Sequence, residues 1–87
     1  MLTSETCRMV RGWLGWDQNT LANKSGVGRN TISLFENKRG DARKATLYAL
    51  QRAFAEGGVY VDGRSIRIKE ETLVQLLGFD GQIEVVN

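Results

Sequence analysis

The chain contains no histidine and only one cysteine. It therefore lacks the side chain that most often serves as general base near neutral pH and most often ligates metals. Cys7 has no second cysteine to join, so an internal disulfide is excluded. No run of about 18 apolar residues is present to span a bilayer, and Met1-Leu2-Thr3-Ser4-Glu5 has neither the basic start nor the apolar stretch of a secretory leader. These absences exclude most familiar enzyme sites. They point to a cytoplasmic protein with no catalytic residue, no metal, no cofactor and no membrane partner.

What is present suffices for one small domain: 87 residues, 41% hydrophobic and 25% charged. A chain of this size buries only about two-thirds of its unfolded surface, so its stability is modest and a partner subunit would raise it. The net charge is +2, unevenly spread. Residues 1–55 carry nine Lys or Arg against four acids, whereas residues 56–87 carry three against six. A basic N-terminal part suits an anionic partner such as nucleic acid, and the acidic remainder would be repelled by it.

The apolar spacing predicts helices first. Thr3 or Ser4 can cap a helix with Cys7, Val10 and Leu14 on one stripe, widened by Met9 and Trp13, and Gly15 ends it. Asp17 caps a second helix over 18–24, with Leu21 and Ala22 inward, until Ser25-Gly26-Val27 breaks the pattern. A third runs over 29–36 with Ile32 and Phe35 inward, and Gly40 is the expected left-handed residue of the loop after it. Leu47, Leu50 and Phe54 mark a fourth over 43–55, stopped by Gly57-Gly58. The period then shortens. Val59-Tyr60-Val61 and Ser65-Ile66-Arg67-Ile68 alternate around Asp62-Gly63-Arg64 as a hairpin, a helix follows over 69–77, and Ile83-Glu84-Val85-Val86 fits a last strand.

Two short helices joined by a glycine-centred turn form a helix-turn-helix signature over 18–37. Ala22 is small where the second helix crosses, Gly26 suits a positive φ, and Val27, Ile32 and Phe35 pin the second helix to the core. At about 100° per residue from Arg29, Ser33, Asn37, Asn30 and Leu34 fall on the side away from Ile32 and Phe35. Arginine forks onto guanine, asparagine onto adenine, serine adapts, and Leu34 can meet a thymine methyl, so Arg29, Asn30, Ser33 and Leu34 are the candidate base readers. Asn37, Lys38, Arg39, Arg43 and Lys44 follow that helix and open the next, where cations and free N–H groups attract phosphate.

Residues 5–55, above all the run from Gly15-Trp16-Asp17-Gln18-Asn19-Thr20-Leu21-Ala22 through Phe35-Glu36-Asn37, resemble the phage-repressor and Cro-like helix-turn-helix regulators, also called the xenobiotic response element family. The resemblance implies a mainly α, lambda-repressor-like helical bundle that binds DNA as a dimer. It also implies that Gln18 bonds a phosphate, and that Arg11 and Glu36 form a salt bridge orienting the recognition helix. Gly28 departs from the family's usual Ser or Thr cap, and Thr20 from its frequent acid. Three other signals carry no site. Gly26-Val27-Gly28 lacks the preceding strand and third glycine of a nucleotide loop, Cys7 sits on an apolar stripe, and Trp13 and Trp16 suit packing.

Residues 57–87 hold more apolar side chains than such a segment buries alone. Either they fold back on the helices or they pair with a second copy; the acidic charge favours the latter. The candidate dimer contacts are Val59, Val61, Ile66, Ile68, Leu73, Leu76, Leu77, Ile83 and Val85. The expected organisation is a DNA-binding part over 1–56 and a dimerisation element over 57–87 within one compact unit. The expected function is a sequence-specific double-stranded DNA-binding transcriptional regulator of phage, mobile-element or bacterial origin, a homodimer on an inverted-repeat operator, controlled by concentration or a regulatory protein. The alternative is a protein-interaction module, an antitoxin or adaptor, with the same helical fold.

Overall fold

A computed structural model of the chain describes residues 2–62 and 65–77, with the backbone alone over 74–77. The elements are α1 (Ser4–Leu14), α2 (Gln18–Ser25), α3 (Arg29–Glu36), α4 (Lys44–Glu56), β1 (Val59–Asp62), β2 (Ser65–Ile68) and α5 (Glu70–Leu77). The mainly helical architecture expected from the apolar spacing is present, with element ends displaced by one residue at most. The strand expected over 83–86 lies outside the described residues. No described helix is long and apolar enough to cross a membrane.

Side-chain caps fix where the first helices begin. Thr3 Oγ1 accepts from Thr6 N–H at 3.1 Å, and Asp17 Oδ1 from Thr20 N–H at 2.7 Å; each satisfies a donor that the first helical turn cannot pair. Gly15, at φ 69°, ends α1, with its own N–H on Gly12 O and the Trp16 N–H on Arg11 O, the bond pattern of a Schellman motif. The exit from α3 has the same pattern, Lys38 N–H to Phe35 O and Arg39 N–H to Leu34 O. Here the left-handed residue is Lys38, at φ 58°, and not Gly40. The motif demands positive φ one residue beyond the cap Asn37, whichever residue stands there, so Gly40 comes too late to supply it.

The core is built around α4, which packs against α2 on one side and β1 on the other. Cys7 and Val10 of α1, Leu21 of α2, Ile32 of α3, Leu47, Leu50, Ala53 and Phe54 of α4, and Val59 of β1 are all buried. Each large aliphatic or aromatic side chain placed there contributes roughly 1.5–3 kcal/mol. Trp16 closes the layer by stacking on Phe54, ring centroids 5.9 Å apart. Met9 and Trp13, expected to widen the α1 stripe, are instead partly exposed.

β1 and β2 pair antiparallel with Val59 opposite Ile68 and Val61 opposite Ile66. Alternation sends these four side chains toward the helices and sends Tyr60 and Arg67 the other way. Of the two arrangements expected for this segment, the hairpin takes the one that folds back on the helices. Val59 is fully buried in the chain's own core, so it is unavailable as a dimer contact, and Val61, Ile66 and Ile68 pack against the same core. The reason is the turn after α4, which brings β1 directly back onto the helix. Leu73 is half-buried, while the side chains of Leu76 and Leu77, and Ile83 and Val85 altogether, lie outside the described residues.

That turn depends on Gly58. Its φ is +95°, and a Cβ there would lie 1.9 Å from Thr72 Oγ1. Gly58→Ala is expected to lower stability by at least about 1 kcal/mol. Gly12→Ala, in a helix with nothing within 4 Å of the new methyl, should raise it by about 0.5–1 kcal/mol. An unchanged or raised urea midpoint for Gly58→Ala would contradict this turn, and a lowered one for Gly12→Ala would contradict the open space at that helix position.

Candidate nucleic-acid interface

α2 and α3 meet across the short turn from Gly26, at φ 76°, to Gly28. Val27 N–H is held by Ser25 Oγ at 3.1 Å, and the Val27 side chain packs on the core, so the entry into α3 is fixed from both sides. Gly28 offers no side-chain cap, which leaves the first-turn N–H groups of α3 without a side-chain acceptor. On α3 itself, Ile32 is buried and Phe35 half-buried, whereas Arg29 and Asn30 are exposed and Leu34 is 49% exposed. Ser33, half-buried, accepts a hydrogen bond from Asn37 Nδ2 at 3.4 Å. The four candidate base readers thus share one side of one helix, and the opposite side is anchored.

The orientation of α3 is set at its end by Glu36, only 2% exposed. Arg11 donates from Nε to Oε2 and from Nη2 to Oε1, each at 2.9 Å. Gln18 Nε2 donates to Oε1 at 3.1 Å, and the Cys7 thiol to Oε2 at 3.3 Å. Arg11 Nη1 also reaches the Trp16 carbonyl at 3.0 Å. One carboxylate on α3 is therefore tied to α1 through Cys7 and Arg11 and to α2 through Gln18. Such bidentate, charge-assisted bonds fix geometry as well as adding energy.

Burial works to raise the Glu36 pKa, but the bonds from Arg11, Gln18 and Cys7 outweigh it and hold the carboxyl below its ordinary value. Cys7 goes the other way: burial first, then the neighbouring Glu36 charge, push its pKa well up. It remains a thiol and a hydrogen-bond donor, with none of the thiolate character that nucleophilic or metal-ligating cysteines need. The resemblance pointed to Arg11 and Glu36, but Cys7 and Gln18 were not expected in this cluster. Cys7 precedes Arg11 by one helical turn, a spacing that puts both on one face, and that was the available signal.

The candidate phosphate residues divide. Gln18 spends one amide N–H on Glu36 and has a second remaining. Asn37, Lys38, Arg39, Arg43 and Lys44 are all exposed along the loop after α3 and the start of α4. Lys38 also pairs with Glu5 across on α1, both side chains being largely exposed, so the pair is worth little and leaves the cation exchangeable. Arg43 occupies the cap position of α4 without a side-chain cap bond, and the first turn holds no acid. Cations at a helix N-terminus oppose the helix dipole, an arrangement that an anion bound there would relieve. Lys24, at the end of α2, lies over the Trp16 ring, 5.0 Å from its centroid.

Lys38 combines a left-handed backbone with a candidate contact, and the two can be separated. Lys38→Gly removes a backbone cost of about 1 kcal/mol, partly offset by glycine's greater entropy when unfolded. Thermal unfolding should show stability unchanged or slightly raised, while DNA binding weakens and its salt slope falls by about one. Loss of stability together with unchanged DNA binding would contradict both roles.

A model of the helix-turn-helix family matches residues 8–58, from the first turns of α1 to the turn after α4. A search of curated proteins found no match. The match takes in more than half of the chain, with α2, α3, α4 and most of α1, and the chain belongs to the phage-repressor and Cro-like helix-turn-helix family of DNA-binding regulators.

Proposed function

We propose that the protein is a sequence-specific, double-stranded DNA-binding repressor that acts in the cytoplasm as a homodimer on an inverted-repeat operator. The observation that carries this reading is the exposed face of α3, with Arg29, Asn30, Ser33 and Leu34 on one side and the buried Glu36 cluster fixing the helix behind them. Placed in the major groove, Arg29 forks onto guanine O6 and N7, and Asn30 onto adenine N6 and N7. Ser33, whose oxygen already accepts from Asn37, keeps its own O–H to donate to a base acceptor. Leu34 meets a thymine methyl. Gln18, Asn37, Lys38, Arg39, Arg43 and Lys44 hold the backbone on either side and set the register.

Two copies related by a two-fold axis present two such helices about 34–36 Å apart, one turn of DNA. Control then comes from the protein's own concentration or from a regulatory protein. A salt titration of binding to duplex DNA tests the electrostatic half of the reading. Lys38, Arg39, Arg43 and Lys44 from each of two copies, if each neutralises one phosphate, give a log–log slope of about −7. A slope near zero would contradict DNA binding through this surface.

A further inference from the structure

α4 and the hairpin enclose a groove of about 620 Å³, and no residue of α3 lines it. Lys44, Tyr48 and Arg52, spaced at i, i+4 and i+8 on one face of α4, form one wall. Tyr60 and Arg67, opposite each other on the outer side of the hairpin, form the other. Leu47, Ala55 and Val61 supply apolar surface between them. Gln51 Nε2 donates to Val61 O at 3.2 Å and ties the two walls together. From Lys44 to Ala55 the groove follows α4 for about 16 Å, the span of about five extended residues.

The charge of the groove is one-sided. Lys44, Arg52 and Arg67 line it against one acid, Asp62. Lys44 and Arg67 make no ion pair among the described residues. Arg52 has the exposed Glu56 at 3.7 Å on the same helix, a contact that holds it weakly. Lys69 adds a cation over the Tyr60 ring, 5.7 Å from its centroid. Arg67 and Lys69 are two of the three bases in the acidic stretch 56–87, and the fold sets both beside this groove. Tyr48, at 70%, is more exposed than Leu34 at 49%. Tyrosine and arginine are residue types that anchor protein–protein contacts. A phosphate backbone would use the cations and leave the apolar floor and the rings uncovered, whereas an acidic chain with apolar side chains uses both.

We propose that this groove docks an extended acidic segment of a regulatory protein. Its carboxylates meet Lys44, Arg52 and Arg67, and its aliphatic or aromatic side chains cover Leu47 between the two tyrosines. The proposal rests on the DNA-binding reading for its consequence alone. Lys44 belongs to the phosphate-binding set as well, so a docked segment and the DNA backbone compete for one cation. Each then weakens the binding of the other by the same factor.

The test is selection of displayed random dodecapeptides by the full chain, followed by titration of the enriched peptides into isotope-labelled protein. Enriched peptides should combine acids with aliphatic or aromatic residues, and the amides they shift should centre on Tyr48, Gln51, Arg52, Tyr60 and Arg67. Tyr48→Ala and Arg67→Glu, both at exposed positions, should each weaken peptide binding at least about tenfold and leave the unfolding temperature and the DNA affinity in place. Saturating peptide should weaken DNA binding severalfold. No acidic enrichment, or binding that both variants leave unchanged, overturns the docking site and leaves the DNA reading intact. A large loss of DNA affinity in Tyr48→Ala and Arg67→Glu overturns it too, because the groove would then be a nucleic-acid surface. A groove-bound peptide with no effect on DNA affinity keeps the docking site and overturns the shared use of Lys44. Failure of the unaltered chain to bind DNA overturns the proposed function and leaves the docking result standing.

Discussion

Glu36→Ala should cost roughly 3 kcal/mol of folding stability, because it removes a buried carboxylate that accepts four hydrogen bonds and leaves Arg11 partly buried without its counter-charge. The Arg11 side chain keeps some access to water, 21% exposed against 2% for Glu36, which holds the loss near the lower end of what breaking a buried pair costs. The effect is also pH-dependent, with a definite sign. The folded carboxyl has a lowered pKa, so the stability it contributes is complete above the ordinary value of 4.5 and is lost as pH falls below that toward the folded pKa. Glu36→Gln, which does not titrate, should be less stable at neutral pH and should flatten that acid limb. Denaturant midpoints measured from neutral to acid pH check both statements. A loss below about 1 kcal/mol for Glu36→Ala, or an unchanged acid limb for Glu36→Gln, would mean that the cluster does not brace α3.

Arg29→Ala should leave folding unchanged, since the side chain is exposed and takes no part in the core. It should cost about 1–3 kcal/mol on the preferred operator, roughly fivefold to more than a hundredfold in affinity, and relax the preference at one base position per half-site. Binding to random duplex should fall far less, by the share of one cation. Lys38→Ala is the contrast: a nearly uniform loss on every sequence. If the two substitutions weaken specific and random DNA alike, Arg29 holds phosphate and the assignment of the α3 face is wrong. Competition titrations with operator and scrambled duplexes distinguish the two results.

The helices were legible because their apolar residues recur at the helical period, and because Thr3, Asp17, Gly15 and Gly26 stand where caps and left-handed exits require them. The turn between α2 and α3 was legible for the same reason. Two features were not. The left-handed exit of α3 falls on Lys38, since the position is dictated by hydrogen bonds to Leu34 and Phe35 and not by the nearest glycine. Whether the hairpin packs on its own helices or on a second copy was open in the sequence, and it covers α4 of its own chain. An alternating strand shows only that one face is apolar, and a local pattern does not say what buries it. At the site, residue types placed the readers on one face of α3, but joining Cys7, Gln18 and Glu36 needed three helices in their packed positions.

The most direct measurement is selection of bound fragments from random double-stranded DNA by the purified full chain. The account predicts enrichment of an inverted repeat whose half-sites are centred about 10–10.5 base pairs apart, or a multiple of that, and whose strongest positions include a guanine lost with Arg29→Ala and an adenine lost with Asn30→Ala. Enrichment of no sequence, or of one that both substitutions leave unchanged, would contradict it.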